Sequence, residues 1–260
     1  IQLQGAAVGT VVGGSAAGAG NLVAYNAGDG VSILAGSGHQ VLGNTFVANA
    51  GLAIDLANNG ISANDAGDAD AGPNNLQNFP VLTTAATTGT QITITGTFNS
   101  TANSYYRIEF FANASQDGTG HGEGQRYLGF ANAMTDGSGN ATINATISAT
   151  VGVGEFISAT ATKSDNTYST FTDTSEFAQN VVATAPNAAP VLDPAYDLVA
   201  NPQIEDAGAP VGNVGQGFGA DFAAYPGITD ADAGDPRGVA IVAADQQTGD
   251  GDDAVVGAEH

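Results

Sequence analysis

The chain contains no cysteine and no tryptophan, one methionine (Met134), and only four cationic side chains, Arg107, Arg126, Lys163 and Arg237, in 260 residues. Each scarcity excludes something. Without cysteine there are no disulfides and no thiolate metal sites. Four cations against 26 acidic residues leave a formal net charge of −22. A nucleic-acid binder needs several phosphate-neutralising cations, and an anionic membrane surface would repel this chain, so neither is an expected partner. No apolar run approaches the ~18 residues of a membrane-crossing helix, so no membrane insertion is expected. The first residue is Ile1, with no charged segment and apolar core of a signal peptide after it. That start reads as a processed product or a piece of a longer chain. Gly251 to His260 contain no closing strand, which reads as a second cut.

What is present is small and turn-forming. Alanine supplies 47 residues of a hydrophobic share of 42%, and glycine another 37. Large apolar side chains are scarce, which suits repeated tight turns and thin β layers better than helix bundles. A secreted protein without disulfides needs another source of stability. Bound Ca²⁺ is the natural expectation when carboxylates so outnumber cations.

The first 80 residues carry a repeat. Gly20-Asn21-Leu22-Val23-Ala24-Tyr25-Asn26-Ala27-Gly28 returns as Gly43-Asn44-Thr45-Phe46-Val47-Ala48-Asn49-Ala50-Gly51, 23 residues later, and Val31 and Ile33 then match Ile54 and Leu56. Val11-Val12-Gly13-Gly14 resembles Val41-Leu42-Gly43-Asn44. A period in the low twenties, with short apolar runs, glycine turns and matched asparagines, is the signature of stacked solenoid coils. Asparagines at equivalent corners are suited to hydrogen-bonded ladders. The stretch from Gly20 to Leu56 resembles the last coils of a right-handed parallel β-helix, of the kind repeated in large bacterial surface and secreted proteins. About three coils are expected, with a coil edge near Ile1 suited to stacking on further coils. Residues 61–80, rich in Asp, Asn and Gly, resemble the segment that closes such coils.

From residue 81 the period changes to alternation. Ile92, Ile94 and Phe98 alternate with threonines. Tyr106, Ile108, Phe110 and Ala112 form one face of the next strand. Further runs are 127–134, 141–147, 156–162 and 176–182, and Asp136-Gly137-Ser138-Gly139 marks a turn. Six or seven short strands in about 100 residues predict an Ig-like β-sandwich over 81–183, which resembles the sandwich that follows β-helix coils in those same surface proteins. Residues 184–190 read as a linker. Residues 191–260 hold 13 of the 26 acidic residues against Arg237 alone. They resemble the first half of a cadherin-like adhesin repeat, expected to be poorly ordered unless a partner completes it. The predicted fold is therefore all-β: the end of a right-handed parallel β-helix (1–80), an Ig-like sandwich (81–183), a linker (184–190) and a partial cadherin-like module (191–260).

Two acidic clusters are candidate Ca²⁺ sites, because Ca²⁺ takes six to eight oxygen ligands. Asp65, Asp68 and Asp70, with Asn64, Asn74 and Asn75, lie in one glycine-containing loop. Asp230, Asp232 and Asp235 form the second, with Glu205 and Asp206 as distant ligands. The ordinary alternative for the first is a solvated acidic loop held by Asx turns. Residues 248–255 approximate one copy of a calcium-binding nonapeptide, but such turns share each ion between copies, so a flexible acidic tail is the expectation there. His39 and His121 are isolated and no HExxH is present, so zinc is not expected. No GxSxG occurs. The glycine-rich 118–124 lacks the lysine of a phosphate loop and reads as a sandwich loop, with Glu123 a ligand or hydrogen-bond acceptor. Four Asn-x-Ser/Thr sequons, at Asn99, Asn113, Asn140 and Asn144, matter only in a glycosylating host.

An enzyme is not expected. Residues 1–60 contain no Lys or Arg to abstract a proton from an acidic sugar, and their two carboxylates, Asp29 and Asp55, do not match by the 23-residue repeat. The expected function is that of an extracellular or cell-surface structural and adhesive protein, stiffened by Ca²⁺. Its partners would be copies of itself, neighbouring modules of a longer chain, or surface glycans. The alternatives are a self-assembling extracellular filament, by strand addition or coil stacking, and a carbohydrate-binding or polysaccharide-processing β-helix.

Overall fold

A computed structural model describes residues 1–5 and 8–187, together with four two-residue strands beyond them. All its regular structure is β except a 3-10 turn at Pro73–Leu76. Seven short strands come first: β1 (Gln2–Leu3), β2 (Val11–Gly13), β3 (Leu22–Ala24), β4 (Val31–Ile33), β5 (Gln40–Leu42), β6 (Thr45–Val47) and β7 (Ile54–Leu56). None pairs with its neighbour in sequence. β1, β4 and β7 form one parallel ladder, β2 and β5 a second, β3 and β6 a third. The chain therefore visits three faces in rotation, completing two windings and opening a third with β7.

The repeat sets the register from β3 onward. Leu22 pairs with Thr45 and Val31 with Ile54, both 23 residues on. The first winding is longer, because Gln2 pairs with Ser32 and Val11 with Gln40. The glycine and alanine turn at 14–20 takes up the extra residues. This shifts the pairing expected for 11–14 by one position: Val12 lies opposite Val41, and Gly13 opposite Leu42. Between the windings run Val12, Val23, Val31, Ile33, Val41, Phe46, Ile54 and Leu56, all buried in one cluster. Gly20 is required by closeness: a Cβ there would stand 1.8 Å from the Gly43 carbonyl oxygen of the next winding.

The matched asparagines do form rungs. Asn44 Oδ1 accepts from the Asn21 backbone N–H at 2.9 Å and from Asn21 Nδ2 at 3.2 Å, while its Nδ2 donates to the Val12 carbonyl at 2.8 Å. Asn49 repeats the pattern on Asn26 and Val23. Both asparagines are buried, so they satisfy backbone groups where the chain turns between ladders and strand pairing stops.

Eight strands follow: β8 (Val81–Thr87), β9 (Ile92–Asn99), β10 (Tyr105–Asn113), β11 (Arg126–Met134), β12 (Asn140–Ile147), β13 (Phe156–Ser164), β14 (Phe171–Thr174) and β15 (Val181–Thr184). They join in the order β11-β10-β13-β15-β8-β9-β12, with β14 on β13 and the β15–β8 step parallel. One core gathers Ile92, Ile94 and Phe98 from β9, Ile143 from β12, Tyr106, Ile108 and Phe110 from β10, and Ile157 from β13. The two halves of the strand order thus bury their apolar faces against each other. The strand expected over 176–182 begins only at Val181, in β15; Glu176 lies in the connection that follows β14.

Residues 1–186 form one compact unit and 187–260 a second. In the second, β16 (Val191–Leu192) pairs with β17 (Ile228–Thr229) and β18 (Ala240–Ile241) with β19 (Val256–Gly257), both antiparallel. Glu205, Asp206, Asp230, Asp232, Asp235 and the acidic turn at 248–255 lie outside the described residues.

The asparagine rungs generate a test. Asn44→Ala leaves the Asn21 N–H and the Val12 carbonyl without partners, at a cost of about 2–4 kcal/mol. Thermal unfolding of the full chain should show the transition of residues 1–186 lowered by about 5–15 °C.

Candidate functional site

Two groups of carboxylates are held in place by the fold. The first lines the joint between the windings and the eight-stranded sheet. The outer edges of β5, β6 and β7 carry backbone N–H groups that no further winding pairs. Side chains of the sheet supply the acceptors. Glu109 Oε2 on β10 accepts from Gly43 at 2.8 Å, and Glu123 Oε1 accepts from Asn49 at 2.8 Å. Asp173 Oδ1 and Thr174 Oγ1 on β14 accept from Gly38 and Val41, at 2.6 and 2.9 Å. Glu176 accepts from Leu56 through Oε1 and from Ser62 through Oε2, both at 2.8 Å. All these acids are buried. Glu123 does for Asn49 what Asn49 does for Asn26: it places a side-chain oxygen on the backbone N–H at the same corner, one winding further on.

An aromatic seam closes the joint. Phe177 lies edge-on to Phe46 of β6 and to Phe111 of β10, with ring centroids 5.7 and 5.0 Å apart. This explains the burial of both faces of β10. Tyr106, Ile108 and Phe110 point into the sheet's core, as the alternation predicts. Arg107, Glu109, Phe111 and Asn113, which alternation alone assigns to solvent, are covered as well.

Burying acids in an acidic protein shifts their titration. Burial pushes the Glu176 carboxyl up to about 7, with Asp55 adding to the shift and the N–H groups of Leu56 and Ser62 opposing it. Burial likewise raises Glu109, against the pull of Gly43 and of the Arg107 guanidinium 2.8 Å away, and raises Glu123, whose Oε2 has no partner among the described residues.

The second group is the loop 65–70. Asp65, Asp68 and Asp70 each offer an oxygen within 4.8 Å of the others. Ca²⁺ holds its ligands at 2.3–2.6 Å, so oxygens on opposite sides of one ion stand about 5 Å apart, and the spacing fits. Burial raises the carboxyls of Asp68 and Asp70 above their ordinary range, and the neighbouring carboxylates add to it. The loop is braced against β9 and the residue after it: Gly67 donates to Asn99 Oδ1 at 2.7 Å, and Ser100 Oγ donates to Asp68 Oδ2 at 2.7 Å. Asn78 ties the same two segments, donating through Nδ2 to the carbonyls of Asp65 and Asn99.

Two of the asparagines expected as further ligands, Asn64 and Asn74, are engaged elsewhere. Asn64 pairs through its side chain with both backbone groups of Phe79. Asn74 is buried, accepts from the His39 N–H, and donates to the carbonyls of His39 and Thr174. The loop thus contributes three carboxylates, and the remaining ligands of an ion there would be water, backbone carbonyls or the Asn75 side chain. Sequence reasoning named this cluster, and named Glu123 as an acceptor. It missed Glu109, Asp173 and Glu176, whose only sequence signal is a charged residue amid a buried strand or beside one, as in Tyr-Arg-Ile-Glu-Phe.

No protein-family model matches this chain, and no curated protein matches it.

The raised carboxyls set a pH dependence with a definite sign. Below pH ~4.5 Glu176 is protonated both folded and unfolded, and its contribution is complete. Between 4.5 and about 7 the unfolded chain ionises first, so stability falls as pH rises, by on the order of 3 kcal/mol at most. Urea midpoints at constant ionic strength should therefore decline from pH 5 to 7.5. Glu176→Gln should flatten the largest part of that slope while lowering stability at pH 5 by about 1 kcal/mol, through one lost acceptor.

Proposed function

We propose that this chain is a mechanical segment of an extracellular surface or matrix protein, in which the end of a right-handed parallel β-helix is fused to an Ig-like sandwich. The observation that carries the reading is the finished joint. Sheet carboxylates take the backbone donors of the last winding, and residues 1–186 make one compact unit. Three rotating parallel ladders support the β-helix assignment. An order of β11-β10-β13-β15 and β8-β9-β12 around one core supports the sandwich. The acidic module after it extends the segment as a partial cadherin-like repeat.

Ca²⁺ serves as the stiffener. An ion at Asp65, Asp68 and Asp70 relieves the repulsion of three carboxylates and locks a loop that already spans from the coils to β9. The adhesive role follows from composition and architecture, with no catalytic group assigned.

Pulling the full chain from its ends tests the reading. Residues 1–186 should release in a single event with a length gain on the order of 600 Å. The force should rise in millimolar Ca²⁺ and fall with chelator, with Mg²⁺ less effective because it demands tighter octahedral geometry. Changing Asp65, Asp68 and Asp70 together to Asn should remove that dependence from this event. Separate release of coils and sandwich would contradict the proposal.

A second reading, self-assembly into filaments, is favoured by the first winding. Val8, Val11, Leu22 and Tyr25 are exposed there, from 54% to 80%. Asn21 Oδ1 and Asn26 Oδ1, the next acceptors in each rung, have no donor among the described residues. Such edges template association between copies. If they do so here, light scattering will show oligomers that the double change Leu22→Asp, Tyr25→Asp converts to monomers.

A further inference from the structure

A cleft of about 480 Å³ opens between the turn at 14–20 and the outer face of the sheet, where Arg107 and Tyr127 form its wall. The turn contributes only glycine, serine and alanine, so the floor carries almost no side chains. Leu22 completes an apolar flank. The cleft is large enough for a small organic molecule.

Arg107 is fixed on three sides. Its Nε donates to Glu109 Oε1 at 2.8 Å, its Nη2 donates to Tyr127 Oη at 3.0 Å, and its guanidinium carbon lies 3.5 Å from the centre of the Phe130 ring. Nη1 donates to no described residue, and it is not sealed from solvent as the unpartnered oxygen of Glu123 is. Tyr127 Oη accepts from Arg107, which leaves its own proton free to donate. Glu109 meets Arg107 through Nε alone, its Oε1 accepting there and its Oε2 accepting from Gly43. The cleft therefore gathers a charged donor and a hydroxyl donor in one wall, with no carboxylate among its lining residues.

Donors of this kind answer an oxyanion, and a fixed guanidinium holds carboxylate or sulfate oxygens without losing further side-chain freedom. The aromatic face of Tyr127 and the Leu22 side chain suit a carbon skeleton attached to that group. The net charge of −22 repels polyanions at long range. It penalises a singly charged ligand far less. We propose that this cleft binds a small organic ligand bearing one carboxylate or one sulfate group, held by Arg107 Nη1 and Tyr127 Oη. The proposal rests on the cleft alone and stands whether or not the chain bears mechanical load.

Titration calorimetry of the full chain in calcium-free buffer tests it with three probes: methyl glucuronide, methyl glucoside 6-sulfate and methyl glucoside. At least one charged probe should bind with a Kd on the order of 1 mM or tighter, and the neutral sugar at least tenfold more weakly. Which charged probe binds identifies the group. Tyr127→Phe, which keeps the ring, should weaken binding about tenfold, the effect of one hydrogen bond to a charged group. Ala17→Trp, on the exposed turn, should abolish binding by filling the cleft, with the melting temperature unchanged. Silence from both charged probes, equal binding of the neutral sugar, or undiminished affinity in the Ala17→Trp protein would overturn the proposal.

Discussion

A stack of β windings has an unavoidable defect at its end: the last winding presents backbone N–H groups that, inside the stack, the next winding would accept. Left buried and unpaired, each costs about 1–3 kcal/mol. Left exposed, they invite another chain to pair. Here the defect is resolved by side chains from the sheet. Glu109, Glu123, Asp173, Thr174 and Glu176 reach the N–H groups of Gly43, Asn49, Gly38, Val41 and Leu56. Most other features of residues 1–186 follow. β10 must be buried on both faces, Phe177 must fill the gap between Phe46 and Phe111, and β14 must leave the β13 edge early enough for Glu176 to sit in the connection. Gly124 joins the same joint by a direct backbone bond, its carbonyl accepting from Phe46 at 3.1 Å.

Carboxylates suit this task for a physical reason. A carboxylate accepts without donating, so it answers N–H groups that converge, whereas an amide must also find an acceptor for its own hydrogens. Asn49 solves that problem inside the stack by donating to the Val23 carbonyl. At the stack's end a carboxylate has no amide hydrogens to place, so it needs no such carbonyl. The cost is desolvation in a protein that already carries −22, which is why burial raises Glu109, Glu123 and Glu176 together. Among the described residues, Glu109 alone of these three has a cation beside it, and Arg107 is in turn held by Tyr127 and Phe130.

How much of this the sequence disclosed depended on whether the signal was periodic. The 23-residue offset fixed the pairing of Asn21 with Asn44 and of Val31 with Ile54, because equivalent residues of a solenoid stack directly. The separate match of Val11–Gly14 to Val41–Asn44 failed by one position, because a turn of glycine and alanine absorbs extra residues without leaving a pattern. Alternation located the inner face of β9 and β10, because one side of each strand is apolar. It could not reveal that the other side of β10 is buried too. Arg107 and Glu109 look like solvent-facing residues until the coils are laid over them, and that contact joins segments about 65 residues apart. Glu176 was drawn into a strand for a similar reason: a run of small and apolar residues carries no mark of where pairing switches from β14 to β15. The acidic loop was legible as a cluster of Asp65, Asp68 and Asp70, but Asn74 was not separable from it in sequence. Its buried amide is committed to His39 and Thr174 by the tertiary fold.

The same reasoning connects the joint with the cleft beside it. Glu109 needs a cation because it is the most deeply enclosed of the capping acids, and Arg107 two residues earlier lies on the same face of β10. Yet a guanidinium has five N–H donors, and Glu109 and Tyr127 use two of them. Arg107 and the turn at 14–20 line the same cleft. The irregularity in the repeat and the unused donors of Arg107 thus meet at one place. A regular 23-residue first winding would lack the six or seven extra residues that form this turn. The cleft is a consequence of how the stack is ended on one side and lengthened on the other, which makes the turn, and not the buried pair, the place where ligand preference can change without cost to the fold.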